Sequence, residues 1–237
     1  MDVRTIVERL EAVYGPKVWY RRNEPLRELI QTVLSQHTSD LNAERAFESL
    51  WRTFGSWEAL AAADLDAIAD AIRSGGLANQ KAPRIKGILS HLYQERGAYD
   101  LWFLEELPVP EALAWLVRLP GVGPKTARCV LLFALGMPVI PVDTHVHRVS
   151  RRLGLIGPKT SAEEAHGVLE AMCLPQDAYR FHVCLIEHGR RICKALRPRC
   201  GVCPLSDGCP SATLGRHHLP QVIGPSRAPA RGERGEP

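Results

Sequence analysis

Three groups of residues in this chain have the types and spacing to do chemistry: a lysine, an aspartate and four crowded cysteines. Lys125 follows the turn Leu119-Pro120-Gly121-Val122-Gly123-Pro124, and Asp143 begins Asp143-Thr144-His145 eighteen positions later, so each stands where a helix is expected to start. A neutral lysine amine attacks carbon, and a carboxylate takes up a proton or stabilises a developing cation. An ordinary lysine has a pKa of about 10.4, and a helix N-terminus disfavours its charge by only about 0.3–1 kcal/mol, under one pKa unit. Activation would therefore have to come mainly from desolvation in a pocket. A neighbouring Asp143 would act the other way, favouring the ammonium form, so it would serve better as a proton acceptor or as a stabiliser of positive charge. A phosphate-contacting lysine and a plain helix cap fit the same spacing equally well.

The glycines at 121 and 123 would let the backbone take positive φ and approach a ligand closely, while the helix start after them offers unpaired N–H groups. Together these make an anion site suited to a DNA phosphate, and a glycine turn that merely connects two helices is the alternative. Further on, Cys193, Cys200, Cys203 and Cys209 fall within 17 residues as Cys-x6-Cys-x2-Cys-x5-Cys. Four thiolates suit either Zn²⁺ or a [4Fe-4S] cluster. Zinc sites usually pair two tight knuckles across a longer loop, and only one tight pair is present, which favours iron–sulfur. Cys129, Cys173 and Cys184 lie on apolar helical faces as core thiols.

Composition sets the frame for these groups. The 237 residues are 45% apolar, enough for a core that needs no disulfide staples, and the cysteine crowding indicates a metal site in a reducing compartment. The mostly apolar run Cys129 to Val142 is interrupted by Gly136, Pro138 and Pro141 and is too short for a membrane span. The N-terminus lacks a signal-peptide block, so an intracellular location is expected, in the cytoplasm or nucleoid if the source is bacterial. Thirty Lys+Arg against 26 Asp+Glu give a net charge of +4, too weak by itself to indicate nucleic acid. Arg190, Arg191, Lys194, Arg197 and Arg199, however, cluster within ten residues at the start of the cysteine array, as a phosphate-binding face would.

The elements that must position these groups are all helical. Val3, Ile6, Val7, Leu10, Val13 and Tyr14 share one face, and Leu26, Leu29, Ile30, Val33 and Leu34 repeat the period from Pro25. A helix capped near Ser39 or Asp40 follows, with Leu41, Phe47, Leu50 and Trp51 inward. Shorter helices are expected over 56–63, 64–73 and 82–95, the last with Pro83 in its first turn. Helices over 110–119, from Pro124 towards Gly136, and from Asp143 to Leu153 complete the stretch around Lys125. Ser161 with Glu164 makes a capping box, and Asp177 is expected to cap the last long helix. From about Ser211 the sequence turns rich in Pro, Gly and Arg, a mobile tail in which His217-His218 is polar surface. The fold class is all-α, with about ten helices.

LPGVGPKTA, VDTH and the cysteine array, in this order, resemble the endonuclease III DNA glycosylases of the helix-hairpin-helix superfamily over roughly residues 20–210. The resemblance implies two helical lobes with a DNA-binding cleft between them. One is a six-helix barrel over 23–138 that contains the hairpin. The other is formed by 1–22 and 139–210 and closed by a [4Fe-4S] loop ligated by Cys193, Cys200, Cys203 and Cys209, with 211–237 as a flexible tail. It implies a monomeric enzyme of base excision repair acting on double-stranded DNA with damaged pyrimidines or abasic sites. In that chemistry Lys125 attacks the anomeric carbon, forms a Schiff base and allows β-elimination 3′ to the abasic site, with Asp143 assisting, and the flipped nucleotide occupies the cleft. Oxidised or ring-saturated pyrimidines such as thymine glycol and dihydrouracil are the expected bases.

The resemblance also places Leu34-Ser35-Gln36-His37-Thr38-Ser39-Asp40 as the loop that fills the gap left by the flipped base. The more familiar form reads LSAQATD, so alignment on the aspartate puts His37 at the wedge with Gln36 beside it, and either could fill the stack. Leu77 matches a second inserting loop. The basic residues 190–199 would meet phosphates around the cluster loop. Thr32 stands where the related adenine glycosylases carry a glutamate, and Lys125 is present where they usually lack it, which argues against adenine excision.

Overall fold

The structure, a computed structural model, describes residues 1–212, so His217 and His218 and nearly all of the expected tail lie outside the described residues. Among the described residues there is no strand, and eleven α-helices carry the fold. They are α1 (Val3–Tyr14), α2 (Pro25–Ser35), α3 (Asp40–Phe54), α4 (Trp57–Ala62), α5 (Leu65–Ala71), α6 (Ala78–Arg96), α7 (Val109–Val117), α8 (Pro124–Phe133), α9 (Thr144–Leu153), α10 (Ala162–Met172) and α11 (Ala178–Arg191). None is long and apolar enough to cross a membrane.

The apolar faces close over two separate cores. One gathers buried residues of α2–α8, from Leu26 to Val139, with Leu29, Phe47, Ile85, Leu116 and Val130 among them. The other joins α1 to α9–α11, with Ile6, Leu10, Val146, Phe181 and Leu205 buried together. The chain passes twice between them. On the first pass Trp19 Nε1 donates to Leu132 O at 2.8 Å and Arg21 Nε to Ala134 O at 2.9 Å, so the segment after α1 satisfies carbonyls at the C-terminal end of α8 that the helix leaves unpaired.

Several local expectations need correction. Val13 and Leu41 face solvent, and Trp51 is 38% exposed on the rim, stacked on Phe47 at 6.1 Å between ring centres. Helix α6 starts at Ala78, four residues before its expected start, which places Pro83 inside it. The proline is tolerated because it lies on the exposed side, where the carbonyl it leaves without a donor, that of the exposed Asn79, can meet water. Asp177 makes no cap bond to α11. It is buried and accepts from Arg180 Nη1 at 2.7 Å, because ion pairing with arginine outcompetes the backbone N–H groups. Gly123 takes an extended conformation, φ −94°, open to any residue, and only Gly121, φ 74°, is left-handed. Ser161 and Glu164 do form the full capping box.

Candidate active site and cysteine pocket

Lys125 and Asp143 project from the starts of α8 and α9. Pro124 opens α8 with its φ fixed for the helix, and the turn before it closes through Val122 N donating to Leu119 O at 3.1 Å. At Gly121 a β-carbon would meet Arg84 Cδ at 2.5 Å, so both the left-handed backbone and the packing require glycine there. At Gly123 a β-carbon would meet nothing within 4 Å, and that open face is what a phosphate approaching the α8 N-terminus could use. Lys125 itself is exposed, because it stands in the first turn on the outer side of the hairpin. The protein alone therefore does not bury it in the pocket that neutral-amine chemistry requires.

Asp143 caps α9 with a single oxygen. Its Oδ1 accepts from His145 N at 2.8 Å and Val146 N at 2.7 Å, so Oδ2 takes no part in the cap. The two charged groups act on the same buried surroundings. Burial holds the His182 imidazole down to about 4, with Asp143 pulling upward and Lys125 downward, and burial pushes the Cys129 thiol up to about 11 under the opposite influences of the same two residues. His182 donates from Nδ1 to Pro141 O at 2.9 Å, two residues before Asp143, and its ring packs edge-on against Phe133. Behind them Glu28, buried, accepts from Arg22 at 2.9 Å and Asn23 at 2.8 Å. None of His182, Glu28 or Arg22 is identifiable from sequence, since each gains its role only from contacts between distant segments.

The two expected inserting loops present residues of different character. Gln36 is tied down, donating from Nε2 to Gly121 O at 3.1 Å and accepting from Arg84 Nη1 at 3.0 Å. His37 is exposed in a left-handed conformation, φ 56°, and Leu77 is 44% exposed at φ 52°. Non-glycine residues adopt this region at a cost of order 1–2 kcal/mol. Both tip residues are therefore exposed and held in a left-handed backbone. Arg197, at φ 52°, is the third such residue among the described ones and lies in the cysteine loop.

Cys193, Cys200, Cys203 and Cys209 line one cavity of about 250 Å³. Four thiols lining one cavity offer the sulfur donors that a [4Fe-4S] cluster takes. Donors are already aimed at the sulfurs. Arg152 Nη1 lies 3.3 Å from Cys193 Sγ, and His188 Nε2 lies 3.5 Å from Cys203 Sγ. Arg152 and Arg148, both on α9, also bind the carbonyls of Cys193, Lys194, Ala195 and Gly189. One helix thus carries Asp143 at its start and grips the cysteine loop with its body. Of the nearby basic residues, Lys194, Arg197 and Arg199 are exposed in the loop, Arg190 pairs with Asp40 at 2.9 Å, and Arg191 pairs with Glu187 and lies over the Tyr14 ring.

The all-helical fold and the glycine turn feeding Lys125 into a helix belong to a defined class: residues 30–173 match the HhH-GPD superfamily of base excision DNA repair proteins, and residues 193–209 match the iron–sulfur binding domain of endonuclease III. Endonuclease III of Thermotoga maritima is 39% identical over 191 residues, 80% of this chain and 84% of that protein. The enzyme of Sulfolobus acidocaldarius is 33% identical over 183 residues, 76% of this chain and 79% of its own length. A solved endonuclease III–DNA covalent intermediate superposes with a TM-score of 0.77 at 29% identity, covering 90% of this chain and 97% of that one. The chain belongs to the endonuclease III family. It is a DNA glycosylase and abasic-site lyase of base excision repair, and its 193–209 segment carries a [4Fe-4S] cluster.

Proposed function

We propose that the chain binds double-stranded DNA as a monomer across the faces presenting His37, Leu77 and Lys125, removes oxidised pyrimidines and cleaves at abasic sites through a lysine Schiff base. The observation that carries this reading is the pairing of an exposed amine on the α8 N-terminus with a carboxylate that caps α9 through one oxygen alone. Lys125 Nζ attacks the anomeric carbon and the base departs with the bonding electrons. The imine that forms with the opened sugar then makes the adjacent proton acidic, so that the 3′ phosphate leaves by β-elimination. Since the free protein leaves Lys125 exposed, the flipped nucleotide itself must close over the amine and exclude water. The free Oδ2 of Asp143 stabilises positive charge on the sugar and receives a proton, roles that need no change in its cap.

The cluster, held by Cys193, Cys200, Cys203 and Cys209, supplies a rigid scaffold for a loop whose exposed Lys194, Arg197 and Arg199 meet backbone phosphates. Gly121 and the open face of Gly123 bring α8 N–H groups to another phosphate. Arg190 and Arg191, engaged with Asp40 and Glu187, would exchange these exposed pairs for phosphate on binding. Of the two candidate wedges, the tethering of Gln36 favours His37 for the gap beside the flipped base, with Leu77 entering from the other loop.

Borohydride reduction in the presence of duplex DNA containing thymine glycol or an abasic site tests the reading. A covalent complex with the wild-type chain and none with Lys125→Gln is the expected result. Base release without any trapped complex would remove the lysine mechanism.

A further inference from the structure

Lys81 is the most deeply buried cation of the described chain, 1% exposed, and it has no carboxylate partner among the described residues. Its ammonium donates to Leu34 O at 2.6 Å and to Gly75 O at 2.9 Å. Burying a charge is costly unless hydrogen bonds and dipoles compensate it. Leu34 lies in the last turn of α2, where carbonyls lack helical donors and the dipole favours a cation. Gly75 lies in the short turn before α6, packed so that a β-carbon would meet Ala46 Cβ at 3.0 Å. A methionine of similar length would fill this space without the charge. What the ammonium adds is a bond to each of two backbones.

Those two backbones lead to the two tips. Leu34 is three residues before His37, and Gly75 is two before Leu77, both left-handed and exposed. One turn along α6, Arg84 continues the pattern, binding Gln36 Oε1 at 3.0 Å while its side chain lies against Gly121. At Gly87 a β-carbon would meet Pro120 Cγ at 2.9 Å, so the same face of α6 also seats the hairpin turn. Lys81, Arg84 and Gly87, spaced three apart, therefore join the loop of His37, the loop of Leu77 and the hairpin that bears Lys125.

We infer that Lys81 and Arg84 are positioning residues that set the two inserting tips and the hairpin in one fixed arrangement, so that base extrusion and delivery of the sugar to Lys125 occur as a single event. This rests on the reading of His37 and Leu77 as inserting residues. Burial lowers the Lys81 pKa, with Arg84 adding to the effect, while the two carbonyl acceptors favour the ammonium form. Loosening either residue should slow extrusion while leaving chemistry on an already unstacked sugar intact.

The test uses the cluster-loaded full chain and a duplex with one thymine glycol and 2-aminopurine in the opposite strand, whose fluorescence reports unstacking in stopped flow. Lyase cleavage of a single-stranded abasic oligonucleotide serves as the chemistry readout. Arg84→Gln is expected to slow unstacking on the order of tenfold, the loss of one charge-assisted hydrogen bond, with the single-strand lyase rate unchanged. His37→Ala should slow unstacking by itself, and its effect should shrink in the Arg84→Gln background, since both act on one step. Lys81→Met should behave like Arg84→Gln, and Arg84→Gln, half-exposed, carries the test alone if the buried substitution fails to fold. Strictly additive effects of His37→Ala and Arg84→Gln, or equal slowing of the single-strand reaction, would overturn the positioning role. Wild-type unstacking by both His37→Ala and Leu77→Ala would instead overturn the insertion reading on which it rests.

Discussion

Cys203 Sγ lies 3.5 Å from Nε2 of the buried His188, whose Nδ1 meets the Tyr14 hydroxyl at 2.9 Å. If Cys203 holds the cluster, as proposed, its thiolate can only accept, so Nε2 would carry the proton and Nδ1 would accept from Tyr14. Burial holds His188 neutral, at about 4, and raises Tyr14 to about 12, so the hydroxyl keeps its proton throughout the physiological range. On the proposed ligation, the chain from Tyr14 through His188 would hold the Cys203 sulfur in place around the cluster.

His188→Leu, which preserves bulk and removes the donor, is expected to speed loss of iron to a chelator by about tenfold or more, the cost typical of deleting an outer-shell partner. Decay of the visible absorbance of the cluster gives the rate. Decay at the wild-type rate would show that the sulfur does not depend on this donor.

For Asp143→Asn the two readouts should separate. The amide oxygen can keep both cap bonds to α9, so the denaturation midpoint should stay within about 0.5 kcal/mol of wild type. Base excision should fall about 10²-fold or more, because the amide neither takes up a proton nor opposes positive charge. Loss of stability in parallel with activity would mean that Asp143 serves only as a cap.

Gly121→Ala should cost about 1–3 kcal/mol from left-handed strain and from the crowding of Arg84. Gly123→Ala, in extended backbone with open space around it, should leave stability unchanged and weaken binding to undamaged duplex DNA. Urea melts and fluorescence anisotropy distinguish the pair.

Stability should decline in mild acid. The His182 pKa is depressed to about 4 from an ordinary value near 6.5, so its contribution is complete above pH 6.5 and is lost as pH falls towards 4, where the unfolded chain takes up a proton that the folded one refuses. His182→Gln, which can still donate to Pro141 O, should flatten that part of the pH dependence measured by denaturant melts at pH 7.5, 6 and 5.

Residues that act through their own neighbours in the chain are legible in the sequence alone. The hairpin and its proline, the Asp143 cap, the capping box at Ser161 and the cysteine spacing all follow from local rules, and so does the all-helical class. Lys81, by contrast, reads as one more polar residue near the start of a helix. Its partners lie 47 and 6 positions away, and only the fold shows that it is buried. The tethering of Gln36 by Arg84, across 48 positions, is hidden for the same reason, which is why two neighbouring residues compete for one role in the sequence. Asp177 reads as a cap because local rules count backbone donors and do not foresee an arginine, Arg4, arriving from the first helix beside Arg180.

The left-handed backbone at His37 also limits what the chain could become by mutation. With φ at 56°, the position admits glycine freely and asparagine or aspartate at little cost, but excludes valine, isoleucine and threonine. The side chains that evolution can offer at this tip are thus drawn from a short, mostly polar list. A lineage whose damage spectrum called for a bulky branched wedge would have to rebuild the loop before it could change the residue.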